Sequence, residues 1–220
     1  MKSRLFHTRD YVLVQDKVRD LINSSPDFLS KNTAQSPRAA GDAIENVVAT
    51  SFDKILGEHC GEYSSNFARR AMADLAFRDR DGLYYIVDVK THRTDTKFNM
   101  PNLTSVERLA RFYEDDTIFF TVLLVSYSVE GVKAEVTHLT FVPIEFLGWD
   151  CLTIGALGWG QIQIANSNVV TVNPGYAQKR WMLEFCDVML EFYPKEIDKI
   201  GERVFRFEQV RDFWSRKADE

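Results

Sequence analysis

The run over residues 117–128, TIFFTVLLVSYS, constrains the fold of this chain most. Its β-branched and aromatic residues do not alternate with polar ones, so it predicts a strand buried on both faces. Such a strand needs a layer on each side, and helical spacing elsewhere supplies candidates. Residues 8–23 carry Val12, Val14, Val18, Leu21 and Ile22, and residues 39–56 carry Ile44, Val47, Val48, Phe52 and Ile55 with Gly57 as a stop. Thr104 and Glu107 have the spacing of a capping box for a helix whose face is Val106, Leu109, Ala110 and Tyr113. From Tyr176 onward the pattern is helical and predicts an interruption at Pro194. Glu130-Gly131 turns the long run into a partner strand over 132–142, and Gln161 to Ile164 reads as a further short strand. The expected class is α/β, a central mixed β-sheet flanked by helices, in one domain over residues 1–220.

That apolar run is also the longest in the chain, and it is about half of what a membrane-spanning helix needs. With no targeting signal at the N-terminus, the expectation is a cytoplasmic protein with no membrane partner. Cys60, Cys151 and Cys186 are scattered and odd in number, which argues against a disulfide framework or a cysteine zinc site. The chain has 27 Lys+Arg against 32 Asp+Glu, a net charge of −5, so it does not coat nucleic acid by bulk charge, although a local basic cleft stays open. No phosphate-binding glycine loop is present, so no nucleotide cofactor is expected.

The chemistry concentrates in a hairpin. Residues 73–78 and 83–92 alternate with period two around the turn Asp79-Arg80-Asp81-Gly82. A three-residue loop with glycine at its left-handed position pairs Asp79 with Leu83, which faces Leu75 with Val87, Phe77 with Tyr85, and Asp74 with Asp88. Asp88 and Lys90, two apart on a strand, share a face. Two carboxylates opposed across a ladder repel. They call for a cation, and hard oxygen ligands with open positions favour Mg²⁺. With Lys90 to orient a water and to neutralise charge on a phosphate, the pattern points to metal-dependent phosphodiester hydrolysis. The other reading is an Asp–Lys ion network on a sheet face.

Ala73-Asp74 followed by Asp88-Val89-Lys90-Thr91 resembles the core of the PD-(D/E)XK nuclease superfamily, with alanine in place of its proline. Within it, the chain is most similar to HincII-like type II restriction endonucleases. Ala40-Gly41-Asp42-Ala43-Ile44-Glu45 resembles their N-terminal helix, residues 73–102 their core with a Pro101-Asn102 step, and Gly160-Gln161-Ile162-Gln163-Ile164 a strand near their recognition region. The resemblance implies a restriction-endonuclease-like core over about residues 40–145 and C-terminal helices over 176–216.

It also implies a homodimeric, Mg²⁺-dependent enzyme that cuts double-stranded DNA at a short palindrome. Asp74, Asp88 and the Val89 backbone carbonyl would be metal ligands, Lys90 the catalytic lysine, and Glu45 a helix acid that assists. Asn99 would push into the base stack and Asn102 would read bases; asparagine pairs bidentately with adenine. Recognition segments are expected over 93–105 and 150–170. There Arg93 and Lys97, together with Arg69 and Arg70 ahead of Asp74, are candidate phosphate contacts, and Gln161, Gln163 and Asn166 candidate base readers. A junction resolvase or repair nuclease on the same core, and a non-catalytic DNA-binding module, are the alternatives.

Overall fold

The computed structural model describes residues 2–25, 28–63, 73–96, 99–156 and 158–218. The chain forms two compact units, Met1–Gly175 and Tyr176–Glu220. The first is α/β, built on a mixed sheet of strands β1 (Glu62–Tyr63), β2 (Leu75–Arg78), β3 (Tyr84–Arg93), β5 (Ile118–Glu130) and β6 (Lys133–Pro143), in the order β1-β2-β3-β5-β6. Only β3 and β5 run parallel; the other neighbours are antiparallel. A second sheet holds β4 (Asn102–Ser105), β7 (Leu152–Gly155) and β8 (Gln161–Ile164), with β8 in the middle.

The strand expected over 117–128 is β5, and its residues 119–127 are all buried. Successive side chains on a strand point to opposite faces, and both faces of β5 are covered. On one, the helices α1 (Arg4–His7), α2 (Asp10–Ser24), α3 (Lys31–Gln35), α4 (Pro37–Ala49) and α5 (Phe52–Leu56) form the layer. Its aromatic centre brings Phe6 to 5.3 Å and Phe52 to 5.7 Å from Phe141, with Phe77 stacked on Tyr85 at 4.5 Å and Tyr85 on Phe119 at 5.4 Å. On the other, α6 (Val106–Phe112) lays Phe112 against Phe120. The hairpin register agrees with the turn chemistry. Leu75 pairs with Val87 and Phe77 with Tyr85, and Gly82 takes φ +86°.

Three local expectations are corrected. The helix over 39–56 is two helices, divided at Thr50-Ser51. The first starts earlier because the Ser36 hydroxyl accepts from the Ala39 N–H and Pro37 occupies the first turn. The cap of α6 is Ser105, whose hydroxyl accepts from the Arg108 N–H at 3.2 Å; Thr104 is drawn into β4 opposite Ile162. The second unit is a single helix, α7 (Gln178–Ser215), that runs through Pro194 without a break. Pro194 is exposed, where water can take the Leu190 carbonyl that the proline ring leaves unpaired. Among the described residues no helix is long and apolar enough to cross a membrane. The three cysteines are free.

Candidate active site

β2 begins at Leu75, one residue short of the opposed carboxylates, and the chain uses that step differently from a ladder. The Asp74 carboxylate turns to the strand edge and accepts from the Val89 N–H at 2.7 Å. Asp74 and Asp88 therefore do not face each other as a simple pair. Lys90 lies between them. Its ammonium donates to Asp88 Oδ1 at 2.7 Å, stands 4.0 Å from Asp74 Oδ2, and reaches the Val89 carbonyl at 3.4 Å. The result is a compact Asp–Lys–Asp group where β3 continues past the end of β2.

Burial sets the electrostatics of this arrangement. Asp88 is 8% exposed, and desolvation pushes its carboxyl up to about 7 against the pull of Lys90; Asp74 and Glu45 add to the rise. Asp88 Oδ2 is buried with no hydrogen-bond partner among the described residues. An orphaned carboxylate oxygen beside a second acid is a donor set that suits a hard cation. Mg²⁺ fits these residues, with Asp88, Asp74 and the Val89 carbonyl as the available oxygens. Among the described residues no group of three or more His, Cys, Asp or Glu side chains is assembled to hold a metal. Water and a bound phosphate would have to complete the shell, as is usual for Mg²⁺.

Glu45 comes to the same place from α4. Its carboxyl is raised first by burial and then by Asp74, and lowered by Lys90, so its charge is felt at the site. One turn earlier on α4, Gly41 is the reason this approach is possible. A Cβ there would collide with Thr91 Oγ1 on β3, next to Lys90. The Gly41→Val protein is expected to lose roughly 1–3 kcal/mol, because the added atoms force α4 off the strand. Chemical denaturation reads that loss; wild-type stability in this variant would show that the contact is slack.

The proposed DNA contacts fall into two groups. Asn102, Gln161 and Gln163 come together on the small sheet. Asn102 pairs with Gln163 across β4 and β8, and Gln163 Nε2 donates to Asn102 Oδ1 at 2.6 Å. Gln161 shares that strand face, since Ile162 and Ile164 point the other way and are buried. Gln163 lies over Gly155, where any side chain would strike its amide. Asn99 and Asn166 sit in the flanking loops, where the Asn99 carbonyl accepts from Ser167 and Asn166 Oδ1 accepts from the Asn168 N–H.

Arg93 stands apart. It donates to the Ala34 carbonyl at 2.7 Å and lies 3.0 Å from Asp95, at an angle that leaves the second contact ionic only. Lys97, Arg69 and Arg70 lie outside the described residues.

Two contacts escaped the sequence reading, which placed His92 on the Asp88/Lys90 face as a candidate contact to a phosphate or water. His92, buried on β3 two residues past Lys90, bonds Asn168 at 2.8 Å and so ties the loop after β8 to the strand that carries the candidate site. Its position on the Asp88/Lys90 face was visible, but a partner 76 residues away was not. Glu145, 3% exposed in a short turn after β6, accepts from the Tyr113 hydroxyl at 2.7 Å; the apolar run around it fits its burial, but a partner 32 residues away was not visible. No protein-family model matches the chain, and no curated protein matches it.

Proposed function

We propose that the protein is a Mg²⁺-dependent endonuclease of type II restriction character, with a PD-(D/E)XK-like core, which hydrolyses double-stranded DNA at a short palindrome as a homodimer. One observation carries the reading: Asp74, Asp88 and Lys90 converge at the open end of a hairpin, with an unpartnered buried oxygen on Asp88 and Glu45 brought alongside by α4. Asp74, Asp88 and the Val89 carbonyl would hold Mg²⁺, which supplies an activated water and charge neutralisation at phosphorus. Lys90, which here pairs with Asp88, would orient the attacking water and stabilise the negative charge that builds on the phosphoryl oxygens. Glu45 positions Lys90. The polar face of Asn102, Gln161 and Gln163 offers amide groups of the kind that read base edges. Two-fold symmetry would address one site per subunit to each strand of the palindrome.

Digestion of a sequenced plasmid with purified protein and Mg²⁺ is expected to give discrete fragments, and none with chelator. Absence of cleavage on any duplex would sink the reading, while selective cutting of branched or damaged DNA would move it to a resolvase or repair nuclease. The closed Lys90–Asp88 pair favours the second reading, a structural ion network in a DNA-binding module. Calorimetry separates the two. A proton and a cation compete for Asp88, whose carboxyl sits at about 7. Mg²⁺ affinity is therefore expected to fall roughly tenfold per pH unit below that value and to level off above it. A structural network shows no ion binding that depends on Asp88.

A further inference from the structure

The helix α7 exposes an apolar stripe with an alternating spacing of three and four residues: Leu183, Cys186, Leu190, Tyr193, Ile197, Ile200, Val204, Phe207 and, past Arg211, Trp214. Leu190 is 73% exposed, Ile197 66% and Phe207 72%. Such a stripe, sustained for more than four heptads, is the seam of a coiled coil. It covers about 48 Å of the helix. Scattered exposed apolar residues need no explanation, but a continuous stripe of this length does. Ile200, Arg203, Val204, Phe207, Glu208 and Arg211 line a groove on the helix surface. Its members at 200, 203, 204 and 207 stand in the positions that form a hole for a knob from a facing helix.

We propose that α7 pairs antiparallel with α7 of a second copy of this chain. The stripe is self-complementary in that direction. Ile197 meets the partner subunit's Ile200, Leu190 meets the partner subunit's Phe207, and Leu183 meets the partner subunit's Trp214. All of the seam is used, from one end to the other. The groove then receives the partner subunit's Tyr193 and Leu190 as its knobs.

Charge selects the direction. A parallel pair would set Arg211 against the partner subunit's Arg211 in one buried layer. The antiparallel pair sets Arg211 against the partner subunit's Cys186, beside the partner subunit's Asp187. It also sets Glu196, which holds Lys199 at 2.6 Å, across from the partner subunit's Arg203, twice by symmetry. At the flanks, Pro194 faces the partner subunit's Gly201, which adds no charge. The like-charged contact, Asp187 with the partner subunit's Glu208, lies at the ends, next to Arg211. Phe205 lies off the seam and takes no part.

The inference names the surface by which the homodimer of the proposed function forms; sedimentation of the full chain and of α7 variants, without DNA or Mg²⁺, tests that surface separately from cleavage. Wild type is expected to sediment at twice the chain's 25.4 kDa. The Ile197→Asp/Ile200→Asp protein is expected to sediment at the single-chain mass, with association weakened at least about 100-fold and an unchanged far-ultraviolet circular dichroism spectrum. Should that variant misfold, Arg211→Cys decides. Mild oxidation is expected to link position 211 to the partner subunit's Cys186, and adding Cys186→Ser is expected to abolish the link. A monomeric wild type, a dimer that survives the double substitution, no cross-link from Arg211→Cys, or Cys186-to-Cys186 linkage in wild type would each overturn the proposal.

Discussion

Replacing Lys90 by alanine is expected to lower DNA cleavage by about 10³-fold or more while leaving the circular dichroism spectrum and most of the DNA affinity intact. Lys90 is the one cation placed between Asp74 and Asp88 among the described residues, at 4.0 and 2.7 Å. On the proposed mechanism, its loss removes the group that orients water and balances phosphoryl charge, but no core contact. Asp88→Asn is expected to abolish cleavage as well, for a different reason: it keeps the shape and takes away the charge that would hold Mg²⁺. The two variants part in calorimetry, where Lys90→Ala still binds the ion and Asp88→Asn does not. Full-rate cleavage by either protein would end the assignment of the hairpin as the reacting centre.

The second large effect is on stability, away from the site. Glu145 is buried, and desolvation pushes its carboxyl up to about 7, against the hydrogen bond it accepts from Tyr113. A carboxyl raised in the folded state keeps its proton there after the unfolded chain has lost it. The folded state therefore binds more protons between about 4.5 and about 7, and stability falls as pH rises through that window. The loss from this one group is about 3 kcal/mol by the top of the window. Glu145→Gln keeps an acceptor for Tyr113 and carries no charge, so its advantage over wild type is expected to grow with pH and then level off. Urea midpoints at pH 5 and pH 8 measure this. An advantage of equal size at both would show that Glu145 does not titrate in the folded protein.

Much of the frame was legible because it depends on short-range chemistry. Gly82 at positive φ fixes the turn, the turn fixes the register, and the register carries Asp74 and Asp88 to the same end of the hairpin. The unbroken apolar run of β5 dictated a strand covered on both sides. What could not be read was decided by competition between neighbours or by distance in sequence. Thr104 and Ser105 are both cap types and both pair in the small sheet, but Ser105 is the last residue of β4 and directly precedes the helix, so its hydroxyl is the one that reaches the Arg108 N–H. Pro194 looks like a helix end, yet one missing donor on an exposed turn does not stop a helix of 38 residues. Asp74 was expected to oppose Asp88 directly. Instead its carboxylate takes the Val89 N–H, a choice open to a short acid just beyond the last ladder pair. The bonds from His92 to Asn168 and from Tyr113 to Glu145 join residues far apart, and no local pattern announces them.

The parallel pairing of β3 with β5 has a consequence for how the chain reaches its native state. An antiparallel hairpin closes as soon as its turn exists, but β5 cannot join β3 until the segment with β4 and α6 has been made and folded back. During synthesis the β2–β3 hairpin therefore waits with one long edge and one face open, the condition in which strands recruit one another between chains. Asp88 and Lys90 lie midway along that waiting strand, with Asp74 just before its hairpin partner. Before any substrate is met, their charge makes the exposed hairpin a poor template for association.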